Sequence, residues 1–358
     1  MTRTAFATGL IGASLLAVLA GSGAVAQMPP TPPAATSPAT AATPPAPQPD
    51  LPVDVIRADP AFDALVKPGV KPTVLLTIEG LRGEGPLWYR GKLYVSDQRG
   101  GNVYAIDGKT GAYKAVSTGA GGKIDLAQRY NMGPNGHVPY KGGETLIMRQ
   151  DVRDVSILHA DGSFTPLLTG YQGKRFNAPN DMVFGADGTL WFTDPTFSAP
   201  VPLRELPYAA VWRYRNGELT PAITDMNLPN GIGLSPDGRT LYVDNSGPER
   251  YIRAYDVGKD GALANMRMFA RFDPAVTARG AADGMKVDAK GNVWVTGPGG
   301  VWVYNPQGKL LGRIQLPQPV TNVAFGGADL QTLYFTMGPT VFQMPVGVKG
   351  QVPLYAGK

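Results

Sequence analysis

The chain has 358 residues, 46 glycines, 34 prolines, two histidines and no cysteine, with a formal net charge of +5. Without cysteine there is no disulfide, no thiolate metal site and no cysteine nucleophile; the two histidines, His137 and His159, are too far apart for an HExxH helix, and no GxSxG elbow is present. A reactive centre in this chain must be built mainly from oxygen.

In chain order, residues 1–26 open on a short basic start, continue through an apolar run from Leu10 to Ala20 and end on Ala24-Val25-Ala26. That is the pattern of a secretory signal peptide cleaved after Ala26, which predicts an exported, periplasmic protein. The run is shorter than the roughly 20 residues a membrane span needs. No later stretch could span, so no membrane span is expected in the mature chain. Residues 27–52 hold ten prolines among Ala and Thr, a composition that cannot bury enough surface to order itself and predicts a disordered linker. Residues 53–70 form an N-terminal extension, with a short helix expected over 53–67 packed on the body. Lys and Arg are scattered without interleaved aromatics, so no nucleic-acid partner is expected.

The body, residues 71–358, repeats one phrase six times: a turn, then an alternating strand ending in a polar residue. Its apolar anchors are Leu93, Leu146, Leu190, Leu241, Val293 and Leu333, spaced 40–53 residues apart. A further strand commonly follows, as in Val103–Ile106, Val211–Tyr214 and Val301–Tyr304, and turns such as Asp187-Gly188 and Asp237-Gly238 separate neighbours as hairpin loops. Six units with room for four strands each predict an all-β, six-bladed β-propeller. A sandwich would give no reason for the sixfold recurrence. The early strand at Thr73–Leu76 is expected to pair with the last blade and close the ring.

Nine to eleven residues before each anchor stands a carboxylate or amide: Glu84, Asn135, Asn180, Asn230, Asp283 and Asn322. One such residue is ordinary turn chemistry. Six at equivalent positions lie on a circle about the propeller axis and should converge at one mouth of the channel. Carboxylate and amide oxygens suit a hard divalent cation, Ca²⁺ first, with Zn²⁺, Mn²⁺ and Mg²⁺ left open. Three or four of the six could reach one ion.

The chain resembles the SMP-30/gluconolactonase family at Glu84-Gly85-Pro86-Leu87-Trp88, Phe176-Asn177-Ala178-Pro179-Asn180-Asp181, Leu228–Gly238 and Ala282–Asp288. The likeness runs from about Leu75 to Met344. It implies one divalent metal held by Glu84, Asn230 and Asp283, with Asn180 touching metal or substrate, and hydrolysis of a sugar-acid lactone. The second blade departs from the commoner pattern, carrying Arg149-Gln150 where many members have Glu-His. On this reading the catalytic candidates are Asp283 as general base, then Asp181. Asn135, Asn177, Asn180 and Arg175 are candidate substrate contacts. Two other readings stand beside it: a paraoxonase-like esterase or aryl-lactonase, and a non-catalytic calcium-binding propeller that holds a ligand or partner. His137 is expected to be packed or hydrogen-bonded, and Asp97, Asp194 and Asp244 to be turn residues.

Overall fold

The computed structural model describes residues 53–121, 132–197, 203–316 and 318–356; the expected signal peptide and linker lie outside the described residues. Wherever the alternating phrase occurs the chain forms a strand, and the strands assemble into six antiparallel sheets around one axis. The first blade runs Gly83–Tyr89, Lys92–Asp97, Asn102–Ile106 and Tyr113–Ser117 from the axis outward. The innermost strands of the other five are Pro134–Pro139, Met182–Phe184, Pro229–Leu234, Met285–Val287 and Asn322–Gly326. Each packs against the innermost strands on either side, so they wall a central channel.

All six anchors sit in the strand next to the innermost one, and all are fully buried between blades. Period-two alternation sends each anchor to one face of its blade and the residue after it to the other face. Trp191 and Trp294, which follow two of the anchors, are buried too, because each blade is covered on both faces by its neighbours.

Ring closure is as expected. Thr73–Thr77 is the outermost strand of the sixth blade, antiparallel to Thr340–Pro345, so a segment from before the first blade completes the last. No blade is left with an unclosed seam.

The extension differs from the expected helix. Asp54–Arg57 is a strand added to the outer edge of the fifth blade, antiparallel to Leu310–Gln315. A 3-10 turn follows at Pro60–Ala64, with Asp59 accepting from the Ala61 N–H, and it drives Phe62 into the core of the fifth and sixth blades. The β-branched pair Val55-Ile56 suits an exposed sheet edge better than a helix, and Pro60 starts a helical turn without prolonging one. Among the described residues no helix is long and apolar enough to cross a membrane.

Candidate active site

The residue opening each innermost strand is placed by contacts between blades. Hydroxyls at strand ends donate to backbone carbonyls of the next blade. Ser96 Oγ reaches Asn135 O at 2.6 Å, Thr193 Oγ1 reaches Asn230 O at 2.7 Å and Thr321 Oγ1 reaches Gly83 O at 2.8 Å. Glycine follows four of the six positions because there is no room for a side chain. A Cβ on Gly85, whose φ is +53, would strike the Asn135 carbonyl, and one on Gly284 would strike the Asn322 side chain. The Glu-Gly, Asn-Gly and Asp-Gly pairs are thus a packing requirement of the channel wall.

These contacts bring the predicted residues together. Asn230 Nδ2 donates to Asp283 Oδ1 at 2.9 Å and to Ser246 Oγ at 2.9 Å. Asn322 Nδ2 donates to Glu84 Oε1 at 3.1 Å and to Asp181 Oδ2 at 3.4 Å, while its Oδ1 accepts the Val323 N–H. Glu84, Asn135, Asn180, Asn230 and Asn322 are all buried, and Asp283 is half-buried. Burial pushes the Glu84 carboxyl up to about 7, with the Asp181 charge adding to the rise and the Asn322 bond opposing it. Burial also holds Asp283 well above the usual carboxylate range; the neighbouring Glu84 charge adds to this and the Asn230 bond opposes it.

Whether this ring fits a divalent ion can be tested on its unpaired atoms. Glu84 Oε2, Asn135 Oδ1, Asn180 Oδ1 and Asn230 Oδ1 are buried and have no hydrogen-bond partner. Each such atom costs roughly 1–3 kcal/mol unless something satisfies it. All four are oxygens, so the missing partner is a donor or a cation. The amide nitrogen of Asn230 is already used, which fixes its oxygen as the free end. The unpaired oxygens of Glu84, Asn180 and Asn230, with the Asp283 carboxylate bonded beside Asn230, make a donor set that fits a hard cation, and the Asn135 oxygen is a further donor of the same kind. Asn322 is spent at both ends on the protein and belongs to the support.

Several expected residues play other parts. Asn177 is fully buried and its donors are spent on the protein: its N–H donates to Asp194 Oδ2 at 3.0 Å and its Nδ2 to Tyr208 O at 2.9 Å, while its Oδ1 is unpaired. Arg175 lies exposed on a two-stranded hairpin, its guanidinium donating to Val152 O at 2.9 Å. Gln150 is fully buried and accepts from Gln98 at 3.3 Å, while Arg149 turns outward to form an ion pair with Asp154. His137 is packed as expected. Its Nε2 stands 2.6 Å from Ser96 Oγ, whose one hydrogen goes to Asn135 O, so Nε2 carries the imidazole proton. Burial lowers its pKa to about 3.

Asp194 and Asp244 are more than turn residues, and that expectation is corrected. Both are fully buried. Asp194 receives the N–H groups of Asn177 and Ala178 and the Trp212 indole, and so fixes the segment leading to Asn180; burial raises it to about 6 despite these bonds. Asp244 stands where the first and third blades carry Ser96 and Thr193. It accepts the Gly231 N–H at 3.1 Å, and burial, then the Asp283 charge, raise it well above its ordinary value.

Sequence reasoning missed Lys286. It lies on the Met285–Val287 strand, and its Nζ donates to Met285 O at 2.9 Å, Asp181 Oδ2 at 3.2 Å and Asn322 Oδ1 at 3.4 Å. Both oxygens of Asp181 are engaged, since Oδ1 accepts the Met182 N–H at 2.8 Å. Farther down the channel is a chamber of about 270 Å³, mostly apolar, which His137 and Lys286 line and the segment Gln351–Leu354 also walls. Glu84, Asn180, Asn230 and Asp283 do not line it. Gln351 Nε2 donates to Leu234 O and Val287 O and so ties that segment across the innermost strands.

Residues 82–338 match the model of the SMP-30/Gluconolactonase/LRE-like region. A gluconolactonase of Zymomonas mobilis is 32% identical over 189 residues, covering 50% of this chain and 53% of that protein. A pentonolactonase of Haloferax volcanii is 28% identical over 266 residues, covering 71% of this chain and 80% of the relative. The chain spans about half the length of the first curated relatives it matches. Among solved structures, a gluconolactonase from Xanthomonas campestris superposes with a TM-score of 0.72 at 29% identity, covering 84% of this chain and 98% of that one. The matched span contains all six blades' innermost strands and every residue of the ring, and the chain belongs to the SMP-30/gluconolactonase/LRE-like family.

Proposed function

We propose that the protein is a lactonase that opens a sugar-acid lactone, using a divalent cation held by Glu84, Asn180, Asn230 and Asp283. The observation that carries this reading is the set of unpaired buried oxygens on Glu84, Asn180 and Asn230 beside Asp283. They lie in a chain whose relatives include a gluconolactonase and a pentonolactonase. Calcium fits an all-oxygen set with two amides better than zinc does. A cation there would supply Lewis acidity toward the lactone carbonyl.

The protein's own groups do the rest. Asp283, at the mouth and held by the Asn230 amide at 2.9 Å, accepts a proton from the attacking water as the water oxygen bonds to the carbonyl carbon. Asn180 donates its amide N–H to the developing oxyanion. The ring C–O bond then breaks, and the departing alkoxide takes the proton from Asp283, giving the open hydroxy acid. Asp181, tied by Lys286, Asn322 and Met182, positions rather than transfers. Export to the periplasm is part of the proposal and rests on the leader pattern of residues 1–26.

The test is a pH-stat panel of sugar lactones, simple lactones and aryl esters, run on wild type and Asp283→Ala. Lactone turnover that falls about 10²–10⁴-fold in Asp283→Ala supports the reading. Near-wild-type turnover in the variant, or no lactone turnover by the wild type, rejects it.

A further inference from the structure

Below the ring, the Lys286 side chain enters the channel from the fifth blade and its ammonium is held by three oxygens of three chemical kinds. They are the Met285 carbonyl at 2.9 Å, the Asp181 carboxylate at 3.2 Å and the Asn322 amide oxygen at 3.4 Å. Carboxylate, amide and main-chain carbonyl are the ligand types that hard cations take. Two of these residues also face the ring, since Asn322 donates to Glu84 Oε1 and Asp181 adds its charge to the Glu84 environment. Four carboxylates, Glu84, Asp181, Asp244 and Asp283, influence one another within this short length of channel. Arg82 offsets part of that charge at Asp283, while Lys286 pairs with Asp181 and acts on Glu84 and Asp244, so one divalent ion at the mouth would leave the Asp181 end of the group to Lys286.

We propose that the Lys286 ammonium is the channel's second cation, filling an oxygen cage beneath the ring so that the channel accepts one divalent ion and no more. The lysine supplies a fixed positive charge without an exchangeable ion. It also holds the Asp181 carboxylate down in the cage and away from the mouth. Its side chain remains about 30% exposed toward the channel, so the cage is reachable from the lumen once the ammonium is gone. A neutral, unbranched side chain at 286 would leave the Asp181 and Asn322 oxygens and the Met285 carbonyl converging on a space of cation size.

This inference rests on the ring being a divalent-cation site, and its test separates the two claims. Bound Ca²⁺ per chain is measured by equilibrium dialysis with elemental analysis on full-length wild type, Lys286→Met and Lys286→Arg. Thermal unfolding of each is followed with and without Ca²⁺. The expected result is one ion in wild type and Lys286→Arg, and two in Lys286→Met, with a loss of metal-free melting temperature in Lys286→Met that Ca²⁺ restores. If Lys286→Met folds only when Ca²⁺ is present, the same conclusion follows. One ion in both wild type and Lys286→Met keeps the ring but overturns the role of the lysine. So does a second ion in the wild type, or a Lys286→Met chain that no Ca²⁺ concentration recovers. No ion in the wild type overturns the ring itself and the inference with it.

Discussion

Asn230 donates through Nδ2 to Asp283 Oδ1, 2.9 Å away across the boundary between the fourth and fifth blades. This bond orients both residues at once: it turns the Asn230 oxygen toward the ring and anchors one oxygen of the proposed base. Replacing Asn230 by Asp would keep an oxygen there but set a second carboxylate against Asp283. Asn230→Asp is expected to raise KM and lower kcat/KM for a lactone by at least about tenfold, the scale of one lost charge-assisted hydrogen bond. Steady-state kinetics alongside Asn230→Ala would check this, and unchanged kinetics in both variants would remove Asn230 from the site.

The ring also makes a signed prediction about pH. Glu84 in the folded, ion-free chain has its pKa raised from 4.5 to about 7. Its folded state therefore binds a proton that the unfolded state releases, and this contribution to stability is full below pH 4.5 and lost as pH rises through 7. A divalent ion competes with that proton. Ca²⁺ should therefore stabilise the fold more at pH 8 than at pH 5, approaching about 2.7 kcal/mol when present at a hundredfold excess over its Kd. Thermal melts with Ca²⁺ and with chelator at both pH values give the comparison; an equal gain at both would separate Glu84 from the ion.

His137 has the opposite sign. Burial lowers its pKa from 6.5 to about 3, so the unfolded chain takes up a proton that the folded chain refuses. The resulting stability is present above pH 6.5 and is lost as pH falls toward 3. Between pH 7 and pH 5 the loss is about 2 kcal/mol. Urea unfolding of wild type and His137→Asn at the two pH values should show this acid sensitivity in the wild type and its absence in the variant.

Asp194 anchors the approach to Asn180, so its loss is expected to act on stability and on the site together. Asp194→Ala leaves the Asn177 and Ala178 N–H groups and the Trp212 indole without their acceptor, a cost of roughly 1–3 kcal/mol for each group left dry. A melting temperature lowered by several degrees, with weaker Ca²⁺ binding, is the expected outcome. A variant as stable as the wild type would show that water replaces the carboxylate freely.

Much of this was legible from periodicity. Leu93, Leu190 and Leu333 are seen as anchors because a residue buried between blades must be apolar in every copy, and the residue about ten places earlier must then open the innermost strand. Lys286 was not legible. A lysine after Asp283-Gly284-Met285 reads as solvent-facing, since period-two alternation tells the two faces of a strand apart but cannot say that one face looks into a channel. Asp244 was misread for a related reason: the repeat aligns it with Ser96 and Thr193, three residues after the anchor, but only the structure shows that this position is fully buried and accepts the Gly231 N–H. The strand at Asp54–Arg57 was missed because its partner, Leu310–Gln315, is some 250 residues away, beyond any local pattern.

The most direct test of the metal-dependent site is glucono-δ-lactone hydrolysis by chelator-stripped wild type, before and after Ca²⁺, Mg²⁺, Mn²⁺ or Zn²⁺ is returned. The account predicts that stripping abolishes turnover, that at least one ion, Ca²⁺ first, restores it, and that Glu84→Ala is restored by none. Full activity in the stripped protein, or in Glu84→Ala, would contradict it.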